Sequence, residues 1–164
     1  MRLKLSIAAL LIGAGTLTAP AGAGNIWPPR NYDPGVVVEW NTLLEQSVPA
    51  NVGAMMPRYY AIMHIAMFDA MNSIEGGHTA IHSRVPASRH ASSDAAAAQA
   101  AHDVLVALLP ERKTDFDRAL TTRLGTINPD RAELGAQVGR EVAAQILKWR
   151  APERTALATP ARLG

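Results

Sequence analysis

The chain is 164 residues long, 48% hydrophobic and 18% charged, with 16 Lys and Arg, 14 Asp and Glu, and no cysteine. A chain this apolar, with a net charge of only +2, is not intrinsically disordered and carries no basic footprint for nucleic acid. The missing cysteine excludes disulfides, cysteine-ligated zinc and a lipoprotein anchor.

The surplus charge is local. Arg2 and Lys4 are the only charges among the first 23 residues, and the 14 cations and 14 anions beyond them balance. An uncharged stretch, Leu5 to Leu17, follows, and then the small-residue triplet Ala21-Gly22-Ala23. This is the layout of a secretory signal peptide cleaved after Ala23. The stretch is shorter than the roughly 20 apolar residues that span a bilayer. The expected mature chain is secreted or periplasmic, has no membrane segment and begins at Gly24.

Residues 24–33, with Trp27, Pro28, Pro29 and Tyr32, read as an extended arm. Asp33-Pro34 is a helix start, a capping carboxylate followed by proline at the first helical position. Val37, Trp40, Leu44 and Val48 then recur at helical spacing until Pro49. A second helix runs from near Pro57 to about Ile74. Its polar residues Arg58, Asp69, Asn72 and Ser73 share one narrow arc, so it is expected to be the central, surrounded helix. That arc reads as an interhelix network or a tether for the turn at Gly76-Gly77. The methionines Met55, Met56, Met63, Met67 and Met71 read as core filling.

A loop spans residues 75 to 93. Ser93 or Asp94 is expected to cap a third helix, Ala95 to about Leu109, whose alanines permit close approach. His102-Asp103 reads as surface. Pro110 opens a fourth helix with Phe116, Leu120 and Leu124 on one side. Asn128-Pro129 repeats the cap-then-proline signal for a fifth. That helix carries the stripe Leu134, Val138, Val142, Ile146 and Trp149, and a small-residue row of Gly135, Gly139 and Ala143. Residues 151–164 have no period and read as a disordered tail. The fold class is all-α, a bundle of about five helices spanning 34–150, whose short connections favour antiparallel neighbours.

Pro57-Arg58, followed by His64-Ile-Ala-Met-Phe-Asp-Ala-Met-Asn72-Ser-Ile, resembles the N-terminal region of the vanadium-dependent haloperoxidases, which share a superfamily with the type 2 phosphatidic acid phosphatases. Val37-Val38-Glu39-Trp40-Asn41, the Ala95–Leu109 helix and Gly139-Arg140 to Trp149-Arg150 are similar to other pieces of that region, in the same order. The resemblance implies a fold equivalent to the N-terminal half of a haloperoxidase-like protein. It implies vanadate, or phosphate in its place, only for the full-length family. The family's oxyanion motifs, a Lys-six-residues-Arg-Pro element and a Pro-Ser-Gly-His element, have no counterpart here. No cofactor and no metal is expected in this chain.

A third family motif does find a match by letter. Ser83-Arg84, five residues, His90, three residues and Asp94 fit it, with Gly77-His78 just upstream. On that pattern Arg84 would bind phosphate, His90 would act as nucleophile oriented by Asp94, and His78 would be the acid. Pro86 stands between Arg84 and His90, so they share no regular helix. The plain alternative is a solvated loop with Asp94 capping a helix. Hydrolysis of p-nitrophenyl phosphate that His90→Ala abolishes would mark the constellation as active. His64, between Tyr60 and Phe68 at i−4 and i+4, reads as a buried neutral histidine with a hydrogen-bond partner.

The leading expectation is an exported helical domain, a truncated member that lacks the catalytic motifs. The alternatives are a helical module that dimerises or pairs with a separate catalytic chain through an uncovered apolar face, and a small acid phosphatase using loop histidines. Neither nucleic acid nor, after signal cleavage, a membrane is an expected partner.

Overall fold

A computed structural model describes residues 33–48 and 55–158, with side chains through 151. The expected signal peptide and all of the arm but Asp33 lie outside the described residues, as does 159–164 of the tail. The described chain is all-α: α1 Gly35–Ser47, α2 Met56–Glu75, α3 Ser93–Leu108, α4 Lys113–Leu124 and α5 Pro129–Ala158, with a 3-10 turn, Pro110–Arg112, leading into α4. Among the described residues there is no strand.

The helix starts follow local chemistry. The Asp33 carboxylate accepts the Gly35 amide at 2.8 Å and its carbonyl accepts Val36 N, so Asp33 caps α1 with Pro34 in the first turn. At α3 the cap is Ser92, whose Oγ accepts Ala95 N at 3.2 Å, not Ser93 or Asp94. Asp94 is free for another task, and its Oδ1 accepts the Asp33 amide at 2.8 Å. Asn128 caps α5 through the Arg131 amide. The α5 backbone stays helical through Ala158, so the aperiodic segment expected as tail continues the helix for two turns past Arg150.

α1 and α2 are antiparallel, since Tyr60 donates to Glu45 and His64 meets Asn41. α3 and α4 are also antiparallel: His102 meets Asp117, while Arg123 near the end of α4 reaches Asp33 beside the start of α3. α4 thereby returns the chain so that α5 runs parallel to α3. Gly135 lies against Ser92–Ala96 and Gly139 against Ala96–Ala100, the same four-residue step on both helices.

The central helix is α3, not α2. α3 packs on α1, α2, α4 and α5, and Ala95 to Ala101 are all buried, Gln99 included. Alanine is the reason. A helix without large side chains is narrow, so neighbours crowd it on every side. The Gly135 and Gly139 row lets α5 close on it; a Cβ at Gly139 would stand 2.5 Å from the Ala96 carbonyl oxygen. Trp40, Leu44, Ile62, Met63, Met67, Phe116, Val142 and Ile146 fill the space around it. Of the expected α5 stripe, Val138, Val142 and Ile146 are buried, but Leu134 and Trp149 are exposed. Residues four apart advance about 400°, so an i, i+4 stripe drifts about 40° per step and its ends turn outward.

Candidate functional site

The polar arc of α2 is a loop tether. Asp69, wholly buried, accepts three successive backbone amides: Ile81 N at 2.7 Å on Oδ1, and His82 N and Ser83 N at 2.9 and 2.8 Å on Oδ2. Asn72 donates to the His78 carbonyl at 2.9 Å and accepts its amide at 3.2 Å. Ser73 donates to the Asp69 carbonyl and accepts Val85 N. Three side chains one turn apart or less thus hold the loop from 78 to 85 in one shape. Arg58 stands about three turns away, at the start of α2, and is also partnered.

The held loop turns Ser83 and Val85 inward and leaves His78, Thr79, Ile81, His82 and Arg84 exposed. His78 lies against Phe68, ring centroids 6.1 Å apart. His82 stacks flat on Trp149 of α5, at 4.2 Å and 7° between planes. Ile81, 56% exposed, stands between these two histidines in sequence, and Phe68 and Trp149 are themselves 36% and 41% exposed. Aromatic and aliphatic surface is therefore presented around the tethered loop.

Arg84, His90 and His78, the three residues of the sequence constellation, are exposed and held by different anchors. His78 sits on Asn72 and Phe68. His90 occupies a turn where its amide bonds Ser88 and its carbonyl accepts Arg131 Nε at 3.2 Å. Arg84 lies over the Gly76 turn, with Nη2 3.4 Å from where a Gly76 Cβ would stand. Asp94, the orienting carboxylate of that constellation, is engaged by Asp33 N, and burial holds it above the ordinary aspartate range.

Arg84, Arg89 and Glu75 instead line one open cleft of about 260 Å³, between the last turn of α2 and the 84–89 segment. The other arginines whose side chains are described are engaged. Arg112, Arg118, Arg123 and Arg140 pair with carboxylates, Arg131 donates to a carbonyl, Arg150 covers the Trp149 ring, and Arg58 is also partnered.

No family model, curated protein or solved structure matches this chain.

A second polar cluster joins α3 to α4. His102, expected on the surface, has a side chain only 12% exposed. Its Nδ1 meets Asp103 at 2.7 Å and its Nε2 meets Asp117 at 2.8 Å, while Trp40 packs edge-on to the ring. Gln99 donates to Asp103, and Lys113 pairs with Asp117. Burial alone would lower the His102 pKa, but the two carboxylates outweigh it and hold it above the ordinary histidine value. Both ring nitrogens can donate only in the imidazolium form, so the geometry selects the charged ring. Lys113, then His102, hold Asp117 below the usual carboxylate range. The sequence signal for this pair was Asp117, fifteen residues on, placed by the α4 turnback.

His64 is half-buried, its Nε2 2.7 Å from Asn41 Oδ1, and burial lowers its pKa, as the apolar neighbours imply. Among the described residues no three His, Asp or Glu are placed to hold a metal ion, and no helix is long and apolar enough to cross a membrane.

Proposed function

We propose that this chain is an exported helical scaffold of the haloperoxidase and phosphatidic acid phosphatase type, which works by packing its exposed aromatic face against a separate helical catalytic chain or a second copy of itself. The observation that carries this reading is the tethered loop. Three buried polar side chains fix its backbone, while Phe68, Ile81, His82 and Trp149 are left at the surface around it. Large apolar groups gathered on a rigid base, with polar groups among them, are what interaction surfaces are made of. The order of family-like pieces along α1, α2, α3 and α5 supports the family part. In this reading vanadate, or the phosphate that replaces it, is bound by the partner and not by Arg84, His78 or His90. Size-exclusion chromatography across concentration, with a hydrophobic dye, tests the proposal. Self-association or dye binding supports it, and a clean monomer that binds no dye contradicts it.

A further inference from the structure

We infer that the cleft between the last turn of α2 and the 84–89 segment binds a small acidic zwitterion of the amino-dicarboxylate class, with its two carboxylates on Arg84 and Arg89 and its ammonium group on Glu75. Three charged residues line this cleft. Arg84 and Arg89 lie in it without the carboxylate, carbonyl or ring contacts that engage the other described arginines. Guanidinium groups take carboxylates in a two-bond fork, so two of them facing one space select a ligand with two anionic groups. Glu75 in the same wall disfavours a plain dianion and favours one that also carries a cation. The complement of two arginines and one glutamate is a molecule of net charge −1.

The cleft is also pre-shaped. Its floor includes Ser73 and Val85, joined by the Val85 amide on Ser73 Oγ, and the preceding residues are fixed on Asp69. Gly76, at φ 69°, makes the turn over which Arg84 lies. A ligand entering therefore meets a backbone already held up to Val85, which lowers the cost of binding. A volume of about 260 Å³ suits an amino-acid-sized molecule.

L-glutamate is the probe, followed by amide NMR shifts at low ionic strength, where open ion pairs are least screened. Glutarate, which lacks the ammonium group, is the control. The expected result is saturable, millimolar binding of L-glutamate with shifts confined to residues 73–76 and 84–89, and weaker binding of glutarate. Arg84→Gln and Arg89→Gln should each weaken L-glutamate by about tenfold, as loss of a charged hydrogen-bond partner does. Glu75→Gln should abolish the preference for L-glutamate and let glutarate bind at least as tightly. All three positions are at least largely exposed, so these variants fold. The inference is overturned by no saturable shift up to about 50 mM, well above millimolar affinity. Equal binding of glutarate by the unaltered protein, or arginine variants that bind as before, overturns it as well.

Discussion

Gly139→Ala decides by its sign whether α3 and α5 touch backbone to backbone. On an isolated helix this change stabilises by about 1 kcal/mol, because alanine is the better helix former. Here the added methyl would stand 2.5 Å from the Ala96 carbonyl oxygen, 2.7 Å from Gln99 Cβ and 3.0 Å from Ala100 N. Two of these three atoms are backbone and the third is a Cβ, so no flexible end can swing aside. The helices must separate, and overpacking of this kind costs about 1–3 kcal/mol. The contacts of Gly135 and Gly139 with residues 92–100 then loosen, so the expected net effect is a loss of about 1–2 kcal/mol. For a body of this size that is a fall in Tm of roughly 4–8 °C. Gly125→Ala is the control. Gly125 sits exposed at φ −64° after α4, where an added methyl comes no nearer than 3.3 Å, to the Thr121 carbonyl oxygen, against 2.5 Å at Gly139, and its Tm should move much less. Circular dichroism at 222 nm reads both. A Gly139→Ala protein as stable as the original, or more so, would refute the close α3–α5 contact and the parallel register built on it.

Asp69→Asn should cost roughly 2–4 kcal/mol in urea unfolding, since one of two acceptor oxygens becomes a donor facing buried amides. Hydrogen exchange of the Ile81, His82 and Ser83 amides should quicken well beyond the global change, and unaltered exchange there would exclude the tether. The His102 cluster gives a pH dependence of definite sign. A histidine with a raised pKa contributes fully below its unfolded value of about 6.5 and loses that contribution as pH rises through the folded value. Asp117, lowered, contributes above about 3.9 and loses it as pH falls through its folded value. His64, lowered by burial, acts oppositely below pH 6.5, so the difference between the original protein and His102→Gln is the quantity to follow. That difference should be greatest near pH 5–6 and shrink toward pH 9; a difference that grows with pH contradicts the charged clamp.

Most of the fold is legible in residue spacing, and the misreadings share a cause. The cap-then-proline pairs at Asp33-Pro34 and Asn128-Pro129, the Gly135–Gly139 row and the tether on Asp69, Asn72 and Ser73 are local signals, and local chemistry decides them. Centrality is not local. α2 carries more large apolar residues, yet α3 is surrounded, because small side chains bring neighbours close and sequence reports size only as absence. The burial of His102 escapes sequence reading for the same reason. Its neighbour Asp103 is visible in sequence, but the Asp117 that completes the pair arrives from another helix. Ser92 took the cap expected of Ser93 or Asp94, since Asp94 is used by the Asp33 amide. The constellation Arg84, His90, His78 is a sequence pattern, whereas the cleft of Arg84, Arg89 and Glu75 depends on how the 84–89 segment folds over the end of α2.

The proposed pairing face is tested most directly by the fluorescence of a hydrophobic dye titrated with the protein and with its Phe68→Ser, Trp149→Ser variant. Both residues are partly exposed, so the double variant keeps the core. The account predicts saturable, blue-shifted dye emission with the original chain and its loss in the variant. No binding by the original, or equal binding by both, would contradict a pairing surface at the tethered loop.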